Sequence, residues 1–270
     1  MNILEKIAER TKERIETQKK ELPLAELQRL VGADSISPCF ESALRQNTSD
    51  VSPGGESRQF DIAFICEVKK ASPSKGIIAH YFDPVAIARE YQTAGAAAIS
   101  VLTEPFYFHG HDDYLRAIAD GVAIPLLRKD FTVDEYMIYH AKLLGASAVL
   151  LICSILDDNQ LAEYIEISHG IGLSALVEVH NEHEVEMALS AGARVIGVNN
   201  RDLKTFEIDM NLSKHLRKFV PQDIIFVAES GIHTPQDVQS VREMGANAAL
   251  IGESIMKSDD KAGMIAWLRG

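Results

Sequence analysis

No stretch of this sequence is apolar for long enough to span a bilayer, and the segment Met1–Leu22 mixes Glu, Lys and Arg where a secretory leader would need an apolar core. Cysteine is scarce. Cys39, Cys66 and Cys153 are odd in number and widely spaced, which supports neither a disulfide framework nor a zinc site; all three read as reduced core residues, Cys66 and Cys153 inside apolar runs. Positive charge is in deficit, with 27 Lys and Arg against 39 Asp and Glu. The resulting net charge of −12 argues against nucleic-acid binding but leaves room for a small basic pocket that captures an anionic metabolite. No GxGxxG motif follows a strand and no Walker loop occurs, so no nucleotide cofactor is indicated. His109 and His111, like His180 and His183, form pairs without a clear third ligand, and no metal is expected. What remains is a cytoplasmic protein that handles a small molecule.

What is present is a rhythm. Residues 1 to 20 have Ile3, Leu4, Ile7 and Ile15 on one face and charges on the other, the pattern of an amphipathic helix. Two short helices are expected at Leu24–Leu30 and Cys39–Arg45, then a Ser-, Asn-, Gly- and Pro-rich loop over residues 46–59. Short apolar runs follow from Ile62, at Ala97–Leu102, Pro125–Leu127, Ala148–Ile152, Leu173–Val179, Val195–Val198, Ile224–Ala228 and Ala248–Ile251, each with a helical pattern behind it. Gly95, Gly145, Gly192 and Gly245 each sit just before the next strand, four copies of one helix-ending turn, with further turns near Gly121, Gly170 and Pro221. Eight near-continuous apolar strands alternating with helices imply a parallel sheet covered by helices, and eight favours closure. The expected fold is a single α/β domain over residues 1–270, a (β/α)8 TIM barrel in which residues 1–60 form an N-terminal helical extension.

In such a barrel the chemistry belongs at the C-terminal strand ends, and polar residues should collect there on the inward parity. The first strand shows it. In Ile62–Ser74, IAFICEVKKASPS, a period of two puts Ile65, Glu67 and Lys69 on one face and Phe64, Cys66 and Val68 on the other. If Leu127, Leu176, Val195 and Val227 face the interior, Lys129, Glu178, Asn199 and Glu229 share their parity and point at one cavity. Gly231 and Gly252, after the seventh and eighth strands, suit a phosphate held by free N–H groups, with Ser230, Ser72 and Lys69 beside it. Lys129 and Glu178 would then face each other across the cavity as an acid/base pair at a carbonyl-derived centre, with Lys69 and Arg201 lowering the pKa of Lys129.

These motifs together, Glu67-Val-Lys-Lys-Ala-Ser-Pro-Ser74, Leu127-Arg-Lys-Asp-Phe131, Leu176-Val-Glu-Val-His180, Gly197-Val-Asn-Asn-Arg-Asp-Leu203 and Ala228-Glu-Ser-Gly231, resemble indole-3-glycerol phosphate synthase along the whole chain, helical extension included. The resemblance implies closure of an indole ring in tryptophan biosynthesis. Its substrate is 1-(2-carboxyphenylamino)-1-deoxyribulose 5-phosphate, which loses CO2 and water without any cofactor. It implies Lys129 as general acid, Glu178 as an acid/base residue of the dehydration and Lys69 as a lysine that touches substrate and moves protons. Glu67, Asn199, Glu229 and Ser230 would orient these groups and the substrate, and Arg201 would bind an anionic end. For the phosphate it implies Lys69, Ser230, Gly231, Gly252 and the backbone of Glu253, where a carboxylate departs from the family's usual hydroxyl. In the segment TEPFYFHGH it implies Phe108 laid over the aromatic ring, with Phe131 as the other wall, and the N-terminal helix as a lid that gates turnover. A related phosphate-binding barrel such as phosphoribosylanthranilate isomerase would not explain the two lysines and the extension; a non-catalytic scaffold would be expected to have lost Lys69, Lys129 or Glu178. Ending at Gly270 after the eighth helix, the chain is expected as the single-activity form, a monomer or weak homodimer, with no nucleic-acid or membrane partner.

Overall fold

The computed structural model describes residues 3–31, 39–45, 62–202 and 205–270; the loop expected over residues 46–59 lies outside them. Strands β1 (Ala63–Val68), β2 (Ala98–Leu102), β3 (Leu126–Lys129), β4 (Ala148–Ile152), β5 (Ser174–Val179), β6 (Val195–Asn199), β7 (Ile225–Glu229) and β8 (Ala248–Ile251) close into one parallel barrel, β8 pairing back to β1. The fold is the expected (β/α)8 barrel. Phe64, Cys66 and Val68 join the outer core against the helices, while Ala63 and Ile65 join the inner one with Leu127, Leu176, Val195 and Val227. The inward parity read from the alternation therefore holds on every strand used for it.

Helices α1 (Ile3–Glu21), α2 (Leu24–Leu30) and α3 (Phe40–Arg45) precede the barrel, and α4 (Pro84–Thr93), α5 (Asp112–Ala119), α6 (Glu135–Leu143), α7 (Asp158–Gly170), α8 (Glu182–Ser190), α9 (Asn211–Leu216), α10 (Pro235–Glu243), α11 (Glu253–Met256) and α12 (Lys261–Arg269) follow its strands. Several begin on a side-chain cap, Asp83 for α4, Asp134 for α6, Asp157 for α7, Asn181 for α8 and Thr234 for α10, each accepting from an otherwise orphaned N–H. Gly95, Gly145, Gly192 and Gly245 have φ of +82, +89, +82 and +78, the left-handed turn expected of them. A fifth such turn uses Gly172, φ +74, because Gly170 still belongs to α7.

The helices of the extension do two jobs. Leu4 and Ile7 of α1 pack into the inner core at the strand C-termini, and Arg14 Nη2 meets the fully buried Asp130 at 2.8 Å. Asp130 also takes Thr103 Oγ1 at 2.6 Å, and Arg128 binds Asp112 at 2.7 Å, so α1 is fastened to β3 through a buried ionic network. At the opposite end, Arg45 Nη2 of α3 donates to the Asp223 carbonyl at 2.6 Å and Phe40 and Leu44 plug the barrel floor. Cys39, just before α3, is exposed and accepts from Ser42, whereas Cys66 and Cys153 are buried. The expectation of three core cysteines fails for Cys39, which lies before the short helix α3 rather than on a strand face.

Candidate active site

The chemistry-bearing side chains meet at the C-terminal mouth of the barrel, in a cavity floored by Leu150, Ile152 and Leu250 and roofed by Ile3, Leu4 and Ile7 of α1. Strand register sets who stands beside whom: Glu178 pairs with Gly197, and Asn199 with Glu229. Lys129, the last residue of β3, reaches Glu229 Oε2 at 2.6 Å and Glu178 Oε2 at 3.2 Å, and both carboxylates are 2% exposed. Lys129 and Glu178 were expected to face each other over a gap; instead the ammonium bridges two carboxylates. The strand ends converge so closely that three charges on alternate strands share one network.

The electrostatic expectation reverses accordingly. Burial alone pulls the Lys129 pKa down, but Glu229, Glu178 and Glu67 together outweigh it and hold the ammonium charged above the usual lysine range. Burial also raises both carboxylates, yet Lys129 and His180 bring Glu178 below the usual range, whereas Glu229, beside Glu178 and Glu67, is pushed up to about 7. Two carboxylates on one lysine thus divide into an ionised one and one that takes a proton near neutrality.

Gly197 makes this approach possible, because a Cβ there would overlap Glu229 Oε1 and come within 3.1 Å of Leu176 Cδ1. In the sequence Gly197 stands at the head of the sixth-strand motif, with nothing local to assign it a role of its own.

On the β1 side, Lys69 Nζ and Glu67 Oε1 form a direct ion pair at 2.5 Å, and Ser100 Oγ lies 3.4 Å from Glu67 Oε2. A Cβ on Gly252 would stand 2.6 Å from Glu67 Oε1, so this glycine serves the β1 pair as well as any ligand. After β7, Ser230 and Gly231 are both left-handed, φ 64 and φ 80. For Ser230 that conformation costs on the order of 1–2 kcal/mol. Its Oγ donates to Asn199 Oδ1 at 2.9 Å, which also accepts from Arg201 N at 3.1 Å. Ser72 and Ser74 of the hairpin after β1 approach each other at 3.5 Å on the same rim.

Arg201 and Glu253 meet each other on the cavity rim. The Arg201 guanidinium donates to the Phe206 carbonyl at 3.1 Å and lies 3.7 Å from Glu253 Oε2. Glu253 also takes Lys257 at 2.6 Å and Lys75 at 3.8 Å. Burial raises its pKa, but Lys257, Lys75 and Arg201 bring it down on balance, so the carboxylate stays ionised on the cavity rim with three cations around it. Its side chain is held by these partners.

Phe108 and Phe131 both line the cavity, but their rings touch, centroids 6.1 Å apart and tilted by 39°. They form one wall, not two facing ones. Phe108 is held in place by a residue the sequence reading overlooked, the buried Glu104, whose carboxylate accepts from the N–H groups of Phe106, Tyr107 and Phe108 at 2.9, 2.7 and 3.0 Å. A carboxylate two residues before an aromatic cluster was the available signal. Asp130 was equally legible only as a charge after Lys129.

Comparison with known proteins agrees with this geometry. A family model described as Indole-3-glycerol phosphate synthase matches residues 4–268. A protein of that name from Ruminiclostridium cellulolyticum is 50% identical over 272 residues, covering 99% of each chain, and one from Lachnoclostridium phytofermentans is 50% identical over 267 residues, covering 99% of this chain and 98% of its own. Among solved structures a 3-hexulose-6-phosphate synthase superposes with a TM-score of 0.64 at 15% identity over 77% of this chain and 98% of its own, a likeness of fold alone. With that match running from α1 to α12 and relatives half identical along the whole chain, the chain belongs to the indole-3-glycerol phosphate synthase family.

Proposed function

We propose that this chain is a carboxy-lyase that closes the indole ring of 1-(2-carboxyphenylamino)-1-deoxyribulose 5-phosphate, giving indole-3-glycerol phosphate in tryptophan biosynthesis. The observation that carries the mechanism is the charged Lys129 held between Glu178 and Glu229 at 3.2 and 2.6 Å. The ring carbon bearing the carboxylate attacks the ketose carbonyl while Lys129 donates a proton to the carbonyl oxygen, and CO2 leaves as the ring regains aromaticity. Dehydration then needs a proton delivered to the departing hydroxyl and one removed from the adjacent CH2; Lys69 and Glu178 are the groups poised for these transfers. Asn199, Glu67 and Glu229 fix their geometry, and the Phe108–Phe131 wall receives the aromatic ring.

The substrate phosphate docks where Lys69, Ser72, Ser230, Gly231 and Gly252 converge, with Arg201 and the N–H of Glu253 at its edge. The α1 helix covers the site and opens for exchange. No helix among the described residues is long and apolar enough to cross a membrane. The reading places the activity in the cytoplasm, in one domain working as a monomer or weak homodimer.

The test follows indole fluorescence after mixing protein and substrate with chelator present. Turnover should track protein concentration and vanish in Lys129→Ala, which still binds a phosphate-bearing analogue, whereas Ser230→Ala should chiefly weaken binding. Wild-type turnover in Lys129→Ala would remove Lys129 as the acid.

A further inference from the structure

His180 follows the last residue of β5 and was weighed from the sequence only as a metal ligand. Its Nε2 lies 3.4 Å from Glu178 Oε1, and its Nδ1 lies 3.3 Å from Glu184 Oε2 on α8. Neither Nε2 nor Glu178 Oε1 has a hydrogen-bond partner, although both atoms are buried. Two unsatisfied polar atoms of opposite character facing each other out of line need only a small rotation to bond, and leaving them unmade is costly. Glu184 in turn is fixed by the His180 N–H at 2.8 Å and by the amide of the exposed Asn181 at 2.8 Å. A carboxylate–imidazole–carboxylate chain therefore runs from the floor of the cavity to the protein surface, its side chains 2%, 18% and 13% exposed.

The reaction supplies a reason for such a chain. In the ring closure proposed above, one proton goes to the carbonyl oxygen, a second leaves with the hydroxyl as water, and one returns from the CH2 group, while CO2 departs from an already ionised carboxylate. Each turnover consumes one proton net. The cavity lies beneath Ile3, Leu4 and Ile7 of α1, and Lys129, Glu178 and Glu229 are buried under it, so the proton must be brought in.

We propose that His180 is a positioning residue for Glu178, orienting its carboxylate and relaying to it, from the Glu184 side, the proton consumed in each turnover. The imidazolium gives its Nε2 proton to Glu178, which passes it on to Lys129 Nζ, 3.2 Å away, to replace the one spent on the carbonyl oxygen; the imidazole is recharged at Nδ1 from solvent alongside Glu184. No atom other than the proton moves. The inference rests on the ring-closure reading and deepens it.

The groups that face His180 are consistent with this role. Glu178 on β5, Glu184 on α8 and Glu229 on β7 raise its pKa, outweighing burial, the largest influence, which lowers it. Lys129 on β3 holds the other oxygen of Glu178. Cys153, after β4, donates to the Glu184 carbonyl at 3.8 Å; burial pushes its thiol above the usual cysteine range, so it stays neutral. His180 therefore keeps its charge to higher pH than an ordinary imidazole, and loses it as pH rises further.

The experiment compares wild type, His180→Gln and Glu184→Gln by steady-state kinetics across pH 6 to 9, with and without added imidazole. In His180→Gln kcat should fall by about tenfold or more, a decade short of a direct acid–base group. KM should stay unchanged, the alkaline limb of the kcat profile should disappear, and imidazole should restore turnover. Glu184→Gln, which keeps an acceptor for the His180 N–H and so preserves the fold, should move that limb to lower pH. Wild type that turns over beside a His180→Gln variant with the same kcat and the same profile overturns the relay and leaves the ring closure standing. So does a loss in KM alone, or one that imidazole does not restore. A wild type that binds substrate and makes no indole overturns both.

Discussion

His140 gives a quantitative handle on how the extension is fastened to the barrel. It lies in the last turn of α6, its ring tilted by 41° against Tyr136 with centroids 5.7 Å apart and its Nδ1 3.9 Å from Asp112. Burial first and the Arg128 guanidinium second lower its pKa from 6.5 to about 4, with Asp112 opposing. The folded protein therefore keeps this imidazole neutral at a pH where the unfolded chain would protonate it. Stability is complete above about pH 6.5 and is lost as pH falls toward about 4, below which the loss is constant. Linkage between those two values makes the loss about 2 kcal/mol at pH 5 relative to pH 7. His140→Gln removes the titration. Asp112, whose pKa Arg128, His140 and Arg14 bring below its ordinary 3.8 against burial, titrates outside this window. Urea unfolding of both proteins at pH 7 and pH 5 should show the wild type losing about 2 kcal/mol more than His140→Gln over that interval. Parallel losses in the two proteins would refute the claim that this imidazole is held neutral by burial and Arg128.

Two further substitutions test the packing that builds the site. Asp130→Ala strips the partner from Arg14 and from Thr103 in a buried setting and should cost about 3–5 kcal/mol in urea melts, with α1 becoming a site of early proteolysis. An unchanged unfolding midpoint would mean that α1 is held by apolar contacts alone. Gly197→Ala pushes a methyl group into the Glu229 carboxylate and should lower kcat about a hundredfold for a stability loss of roughly 1–3 kcal/mol, read from kinetics and thermal melts together. Full activity in that variant would show that the Lys129–Glu229 contact is dispensable.

Much of this protein was legible in its residues because two local periodicities carry the fold. Side chains alternate with period two on a strand, so Glu67, Lys129, Glu178, Asn199 and Glu229 could be assigned to one interior from their parity with Ile65, Leu127, Leu176, Val195 and Val227. The left-handed turns at Gly95, Gly145, Gly192 and Gly245 are likewise local, since the backbone conformation itself demands glycine. The turn expected near Gly170 falls at Gly172, because local propensity fixes the end of α7 only to a residue or two.

What the tertiary structure decided are distances between strands that are far apart in sequence. Parity says that Lys129 and Glu178 look into the same barrel; only the convergence of β3, β5 and β7 makes one ammonium bridge two carboxylates and turns the expected fall in the lysine's pKa into a rise. The same holds for Glu253, whose carboxylate is tolerated at the rim because Lys75 and Arg201 arrive from distant segments to join Lys257, its own neighbour four residues on. It holds too for Phe108 and Phe131, which the chain spacing allowed on opposite walls and packing put on one. The sequence by itself determined which way each side chain points, because that depends on immediate neighbours in the chain. Charge pairing and protonation depend on the few ångströms that separate residues brought together by barrel closure, and those were settled by the fold.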